Sequence, residues 1–447
     1  MKRREMLSLL ALGTPPLVFK NSFSNPWITP WRNEKDQKIF EDGRDWFFEN
    51  RFGMFVHWGI YSIPAWHEQF QWRMGMPRSQ YIKFADEFNP RKFSPDQWID
   101  LMQESGMKYI TFTTKHHDGF CMWDTRQTTF NIMNTPYKKD ILRELADACH
   151  KRKIPLCLYY SIADWNHKNY PNQGRHHELL KPEPGDQPDW DKYMEFLKAQ
   201  IKELCSNYGE IHGIWWDMNV PQYYDPSVNM MIRKLQPKAI INNRGFDEGD
   251  YGTPERDEDA GEAQAFKEPT EACQSVDSLS WGYRKNAEYY SDRHLINSID
   301  KYFSAGANYL LNVGPTAEGL IPEKAAAILK RIGRWYASVK ESFENVELVT
   351  QLIKSPGVSV TRQNSVYYIH LNKPAVTEGL SLKPINVLPQ SAILLNDGRR
   401  VECILSKSPR DYPDIKSFLY LINLPVNEFS DTTLVVKLVF GEKLIQV

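Results

Sequence analysis

The chain has 447 residues, a length that suits one large domain joined to a smaller one. Its 55 Lys and Arg residues are balanced by 56 Asp and Glu, so the basic excess of a nucleic-acid binder is missing. Apolar and aromatic residues are plentiful enough to build a real core and exclude global disorder. The N-terminus, MKRREMLSLLALGTPPLVF, sets a basic start before a short apolar stretch. It predicts a signal peptide over residues 1–25, too short to span a bilayer, with Arg3-Arg4 fitting a twin-arginine signal or a plain positive n-region. Export to a periplasm or to the outside of a bacterial cell is the expected consequence, with no transmembrane segment.

From residue 38 onward, helical and strand-like segments alternate. KIFEDGRDWFFENR reads as a helix and FGMFVHWG as a strand. SPDQWIDLMQESG is a helix capped at Ser94 and stopped at Gly106, and MKYITFTTKHH is the next strand. The helix KKDILRELADACHKRK leads to the strand IPLCLYYS. Trp190, Tyr193, Leu197, Ile201, Leu204 and Tyr208 share one helical face before the strand IHGIWWD. PSVNMMIRKLQP precedes the strand AIINNR, AEYYSDRHLINSIDKYFSAG precedes NYLLNVGP, and PEKAAAILKRIGRWYASV closes the series. Such alternation implies parallel strands covered by helices. Seven or eight strands in about 300 residues fit an α/β fold of the (β/α)8, TIM-type barrel class over residues 30–344. A doubly wound sheet is disfavoured, because no GxGxxG follows the first strand.

After residue 345 the helical period is lost. Short alternating runs such as GVSVTRQNSVYYIHLN and TTLVVKLVF predict a β-sandwich over 345–447, with a structural role preferred to sugar binding. Cysteines at 121, 149, 157, 205, 273 and 403 form no CxxC pair, which argues against a zinc site and a disulfide-rich scaffold. Cys157 reads as a buried small hydrophobe, and export would permit one or two disulfides.

Polar residues cluster where the strands end: HW, KHHDGF, YYS, WWDMN and NNR. A barrel gathers those ends at one mouth. Together with SWGY and YLLNVGPTAEGLIP, these segments resemble the α-L-fucosidase family over roughly residues 38–344. The resemblance implies a retaining exo-glycosidase, without metal or other cofactor, that removes terminal α-L-fucose from oligosaccharides or glycoconjugates. Asp217 in WWDMN matches the family nucleophile; as an isolated residue it would read as a strand-end cap. A retaining enzyme needs a second carboxyl group about 5–5.5 Å away as general acid. Glu255 in GDYGTPER and Glu271 before SWGY each match a position used in the family. Glu255 is preferred, because Thr270 stands where a Trp usually precedes the second Glu. Glu258, Asp259 and Glu262 read as a solvated face.

The resemblance assigns sugar binding to His57, His116 and His117, whose imidazoles can donate to or accept from hydroxyls. Zinc also takes three histidines, but neighbouring His116 and His117 on a strand would point apart. Trp58, Trp215, Tyr160 and Arg244 complete the expected pocket; the choice of Tyr160 over Tyr159 comes from the family match. Gln71-Trp72 stands where many relatives carry Glu-Trp, with Glu68 able to compensate. That difference keeps a related sugar such as an α-L-galactoside open as substrate. The rival of another class is a glycan-binding barrel without catalysis. Homo-oligomers are compatible with the sequence.

Overall fold

The computed structural model describes residues 40–444 except 221, 257–265, 267, 350–356, 373–376, 384 and 408–415. The expected signal peptide and Glu258, Asp259 and Glu262 lie outside the described residues. Seven parallel strands form the larger sheet: β1 (Phe52–Val56), β2 (Tyr109–Lys115), β3 (Leu156–Ser161), β4 (Gly213–Asp217), β5 (Ile240–Ile241), β6 (Glu271–Ser275) and β7 (Asn308–Val313). Their spatial order is β5-β4-β3-β2-β1-β7-β6. Nearly every strand residue is buried, as expected when helices cover one face and the barrel interior the other. Phe55, Tyr109, Cys157, Tyr159, Trp215 and Leu310 fill the interior. Their strand neighbours Val56, Ile110, Leu158, Tyr160, Ile214 and Trp216 pack outward under the helices.

The ring closes through an irregular segment rather than an eighth regular strand. Asn242 bridges to Tyr251, Gly252 to Thr270 and Glu255 to Cys273, all in the parallel sense. Residues 251–255 therefore lie between β5 and β6. The expected strand AIINNR is reduced to two residues for a local reason. The Asn242 side chain accepts from Trp216 N–H at 2.9 Å and donates to Trp216 C=O at 2.9 Å, standing in for a backbone ladder.

The helices follow their local signals. Ser94 caps the helix Pro95–Glu104, Asp140 caps Ile141–Arg152, and Asp189 caps Trp190–Asn207. Gly53 on β1 has a packing reason: a Cβ there would stand 2.3 Å from the Tyr109 ring, which plugs the barrel floor. All six cysteines are unpaired and five are buried, Cys157 inside the barrel. Among the described residues no helix is long and apolar enough to cross a membrane.

The remaining strands are antiparallel. They are β8 (Glu347–Leu348), β9 (Val358–Gln363), β10 (Val366–Leu371), β11 (Leu380–Leu382), β12 (Ser391–Leu394), β13 (Glu402–Lys407), β14 (Ser417–Ile422) and β15 (Leu434–Val439). A five-stranded sheet, β12-β15-β10-β9-β8, and a three-stranded sheet, β11-β14-β13, share one apolar core. A buried polar contact joins this part to the barrel's helical coat. Asp300, on the helix Asp292–Ser304, meets His370 Nδ1 of β10 at 2.8 Å, and both side chains are fully buried. Removing His370 leaves the buried Asp300 carboxylate with Asn372 Nδ2 but without its His370 partner. His370→Ala is therefore expected to lower stability by about 3–5 kcal/mol, read as a lower midpoint in guanidinium denaturation. A parent-like midpoint would show that the contact is immaterial.

Candidate active site

Asp217 ends β4 and projects into the barrel mouth. Its Oδ1 accepts from Met218 N–H at 3.0 Å and from Arg244 Nη1 at 3.3 Å. Its Oδ2 accepts from the Tyr159 hydroxyl at 2.7 Å, with His117 Nε2 at 3.9 Å. Burial opposes ionisation of this carboxyl. The Arg244 and His117 charges and the Tyr159 and Arg244 hydrogen bonds outweigh burial and hold its pKa below the usual 3.8.

Arg244 binds the second carboxylate through the same nitrogen. Its Nη1 also donates to Glu255 Oε1. Its Nε and Nη2 are held by Thr253 Oγ1 and the Thr253 carbonyl, each at 2.5 Å, and its guanidinium lies over the Trp215 ring at 4.6 Å. Glu255 is thus carried by the segment that closes the barrel. Burial raises its pKa, Arg244 lowers it, and the Asp217 charge raises it; the net shift is upward from 4.5. One carboxyl group is biased towards its ionised form and its neighbour towards its protonated form, the division that acid and nucleophile roles require.

The three histidines meet in the same cleft. His57 Nδ1 lies 2.7 Å from Asn312 Oδ1, and Asn312 Nδ2 donates to Ser275 Oγ and the Trp281 carbonyl. His117 Nδ1 lies 2.7 Å from Ser161 Oγ, which spends its own proton on the Ala163 carbonyl. Both Nδ1 atoms are therefore the donors, which leaves each Nε2 as a bare acceptor. Burial is the main reason that both pKa values fall to about 4 and that His116 is also driven down. The His116 and His117 rings stand 3.9 Å apart. The expectation that they would point apart fails because β2 ends at Lys115, one residue before them, and strand alternation ends with it. His116 Nδ1 is buried without a protein partner.

Around this centre, Trp281 packs at 5.4 Å from His57, and Arg256 lies over the Trp281 ring at 4.7 Å. Glu68 Oε2 accepts from Ser280 Oγ, Trp281 N–H and Gly282 N–H at 2.7–3.0 Å, fixing the SWGY segment. Burial opposes ionisation of Glu68, but His67 and these donors bring its pKa to about 2. Burial also lowers the His67 pKa, so at neutral pH the donors carry the anchoring. Trp72 Nε1 donates to the Glu178 carbonyl at 2.7 Å, and its ring meets His177 at 5.0 Å. Gln71 is buried, and neither its Nε2 nor its Oε1 meets a protein partner.

Three expected site residues are placed elsewhere. Trp58 follows His57 and turns outward. It packs among Phe88, Phe93 and Trp98, and its Nε1 donates to the Thr316 carbonyl at 2.9 Å. Tyr160 also faces the helical coat, donating to Gln200 Oε1 at 2.7 Å with Lys115 Nζ over its ring. Tyr159 occupies the cleft instead, because parallel pairing aligns Tyr159 with Trp215 and Ser161 with Asp217 on one face. Glu271 opens β6 at the N-terminal, opposite end of the barrel. It is only 1% exposed and receives the Tyr109 hydroxyl and Trp215 Nε1. Burial lifts its pKa to about 7, and its hydrogen-bond partners Tyr109, Trp215 and Tyr251 include neither Asp217 nor Arg244. Tyr159, Trp281 and His177 were not singled out as site residues from sequence. Alternation counted back from Asp217 through the strand pairing would have found Tyr159.

Glu271 is thus a floor residue. Glu271→Ala leaves the Tyr109 hydroxyl and Trp215 N–H buried without an acceptor, and is expected to cost at least about 1–3 kcal/mol. Glu255→Ala, at the open mouth, should keep a near-parent melting temperature. Differential scanning calorimetry of the two variants reads this contrast, and the reverse order would reject it.

A family model described as Alpha-L-fucosidase matches residues 22–341. The chain is 31% identical over 364 residues to the tissue alpha-L-fucosidase of Homo sapiens, covering 74% of each protein. Alpha-L-fucosidase isoenzyme 1 from Paenibacillus thiaminolyticus is similar in structure, with a TM-score of 0.79 and 29% identity over 90% of this chain and 99% of that one. A Bacteroides thetaiotaomicron alpha-L-fucosidase, trapped as a covalent intermediate with 2-fluoro-fucosyl fluoride, gives a TM-score of 0.72 and 25% identity, with coverages of 89% and 96%. With a parallel barrel that brings a carboxylate pair to its mouth, and a family match over most of its length, this chain belongs to the α-L-fucosidase family.

Proposed function

We propose that the chain hydrolyses terminal α-L-fucosyl residues of oligosaccharides or glycoconjugates by double displacement, with Asp217 as nucleophile and Glu255 as general acid and base. The observation that carries the assignment is the pair of carboxylates on one Arg244 nitrogen with opposite pKa shifts. In the first half-reaction an Asp217 oxygen attacks the anomeric carbon while Glu255 gives its proton to the leaving oxygen. A fucosyl ester forms and the glycosidic bond breaks. In the second, Glu255 takes a proton from water, whose oxygen displaces Asp217, so the α configuration returns. The covalent intermediate trapped in the Bacteroides relative supports retention.

Sugar hydroxyls can donate to the bare Nε2 atoms of His57 and His117. The buried, unpartnered amide of Gln71 supports the same role, since such groups are rarely left unsatisfied. Trp72, His116, Trp215 and Tyr159 complete the proposed pocket, with Arg244 holding the carboxylates. We assign the barrel to residues 30–344 and a structural sandwich to 345–447. Residues 1–25 are proposed as an export signal, which N-terminal sequencing of protein from its host would test; an intact Met1 would reject it.

Glu255→Ala is expected to slow cleavage of a natural fucosylated oligosaccharide by roughly 10²–10⁴-fold, while glycosylation by an activated aryl α-L-fucoside is spared. Azide should restore turnover of the aryl substrate and give the α-fucosyl azide, detected by NMR. Asp217→Ala should lose both substrates and yield only the β azide, if any. Rescue to the α product by Glu271→Ala, and not by Glu255→Ala, would overturn the assignment.

The pH profile provides a second test. The proposed chemistry needs Glu255 protonated, and its pKa is raised, so the alkaline limb of kcat/KM should lie above 4.5. Asp217 must be ionised and its pKa lies below 3.8, so protonation of the His57 and His117 acceptors near 4 should set the acid limb. Glu255→Gln should erase the alkaline limb. An unchanged limb would assign it to another group.

A further inference from the structure

Beside the carboxylate pair lies an open groove of about 670 Å³, within the ~300–1,000 Å³ range of small-ligand sites. It begins at Arg244 and Met218, the neighbours of Glu255 and Asp217, and is built by the loops that follow β4 and β5. Asn219 sets the form of the first loop. Its Nδ2 donates to the Tyr223 and Gly245 carbonyls at 3.0 and 2.6 Å, and its Oδ1 accepts from Tyr223 N–H at 3.0 Å. The chain is thereby folded so that Tyr224 stands on the groove wall, 64% exposed. Its place on the wall of a groove that opens beside the carboxylate pair gives the exposure a use, since a tyrosine face suits the apolar side of a pyranose.

The charges of the groove narrow the class of ligand. Its two arginines are both matched. Arg175 is bonded to Glu178, and Arg244 to Asp217 and Glu255. Asp247 and Glu248 make no ion pair among the described residues, and Glu248 is exposed. The wall is therefore net acidic where a ligand would lie, which disfavours sulfated or carboxylated sugars. The groove is lined by Arg244, which holds the proposed acid Glu255, and by neither His57 nor His116, so in the proposed pocket it falls on the side of the leaving group rather than of the fucosyl ring.

We infer that this groove is a leaving-group subsite for neutral saccharides, with Tyr224 as its stacking platform and Glu248 selecting against anionic sugars. The inference rests on the fucosidase reading above and deepens it by naming the aglycone class.

The test compares α-L-fucosyl fluoride, which has no sugar aglycone, with a neutral fucosylated trisaccharide and its sulfated counterpart. Tyr224 is exposed, so Tyr224→Ala leaves the core intact, and circular dichroism checks this. Its loss of kcat/KM on the neutral trisaccharide should exceed its loss on the fluoride by about five- to tenfold, the scale of one aromatic contact, and Tyr224→Trp should restore the ratio. The parent should prefer the neutral trisaccharide to the sulfated one, and Glu248→Gln should narrow that preference. Equal effects of Tyr224→Ala on both leaving groups, or a parent preference for the sulfated sugar, would overturn the subsite while leaving the fucosidase reading intact. Failure of the parent to release fluoride would overturn the fucosidase reading and the subsite with it.

Discussion

The site is organised by one cation. Arg244 presents a single nitrogen to both Asp217 and Glu255, while Thr253 takes its other two nitrogens and Trp215 supports its plane. Each contact removes a freedom that a flexible side chain would otherwise keep. Trp215 is fixed in turn from below, because its Nε1 donates to Glu271. A continuous line of contacts thus runs from the barrel floor to the mouth. It gives the buried Glu271 a place in that line, beneath Trp215.

The barrel was legible from sequence because its signals are local: helix caps, apolar runs and polar strand ends. The cleft was less so, because pointing inward or outward depends on register between strands. Tyr159 and Tyr160 are equally aromatic and adjacent, and only the pairing of β3 with β4 decides between them. Trp58 was misplaced for a related reason. A residue next to an inward His57 emerges on the opposite side of the chain, so a tryptophan expected against the sugar packs among Trp98 and its neighbours instead. His116 and His117 depart in the other direction: the strand ends before them, so adjacent side chains share one cleft. Glu271 could not be separated from Glu255 by sequence, since each is a glutamate near a strand. Which end of the strand it occupies requires the start of β6, and that start is set by pairing with Asn308.

Barrel closure has a bearing on the acid's position. A regular strand fixes every second side chain towards the interior. The segment 251–255 instead makes isolated bridges to β5 and β6, so Glu255 is aimed by Arg244 and by a few backbone bonds. Asn242 produces this irregularity by spending its side chain on the Trp216 backbone. A sequence that looks like an ordinary fifth strand therefore yields a short strand and a loop able to carry chemistry.

The shared nitrogen of Arg244 also has a consequence for charge conservation over the proposed cycle. In the proposed first half-reaction the guanidinium is paired with ionised Asp217 while Glu255 carries the proton it will deliver. Once Asp217 is esterified its charge is gone, and Glu255, having given up its proton, becomes the counter-ion of the same nitrogen. The cation keeps one anionic partner throughout, and the net charge of Arg244 with its two carboxyl groups stays the same. Because leaving a charged group without its counter-ion is costly, the protein around Arg244 can stay the same in both half-reactions, with only a proton and an ester bond changing places around a fixed cation.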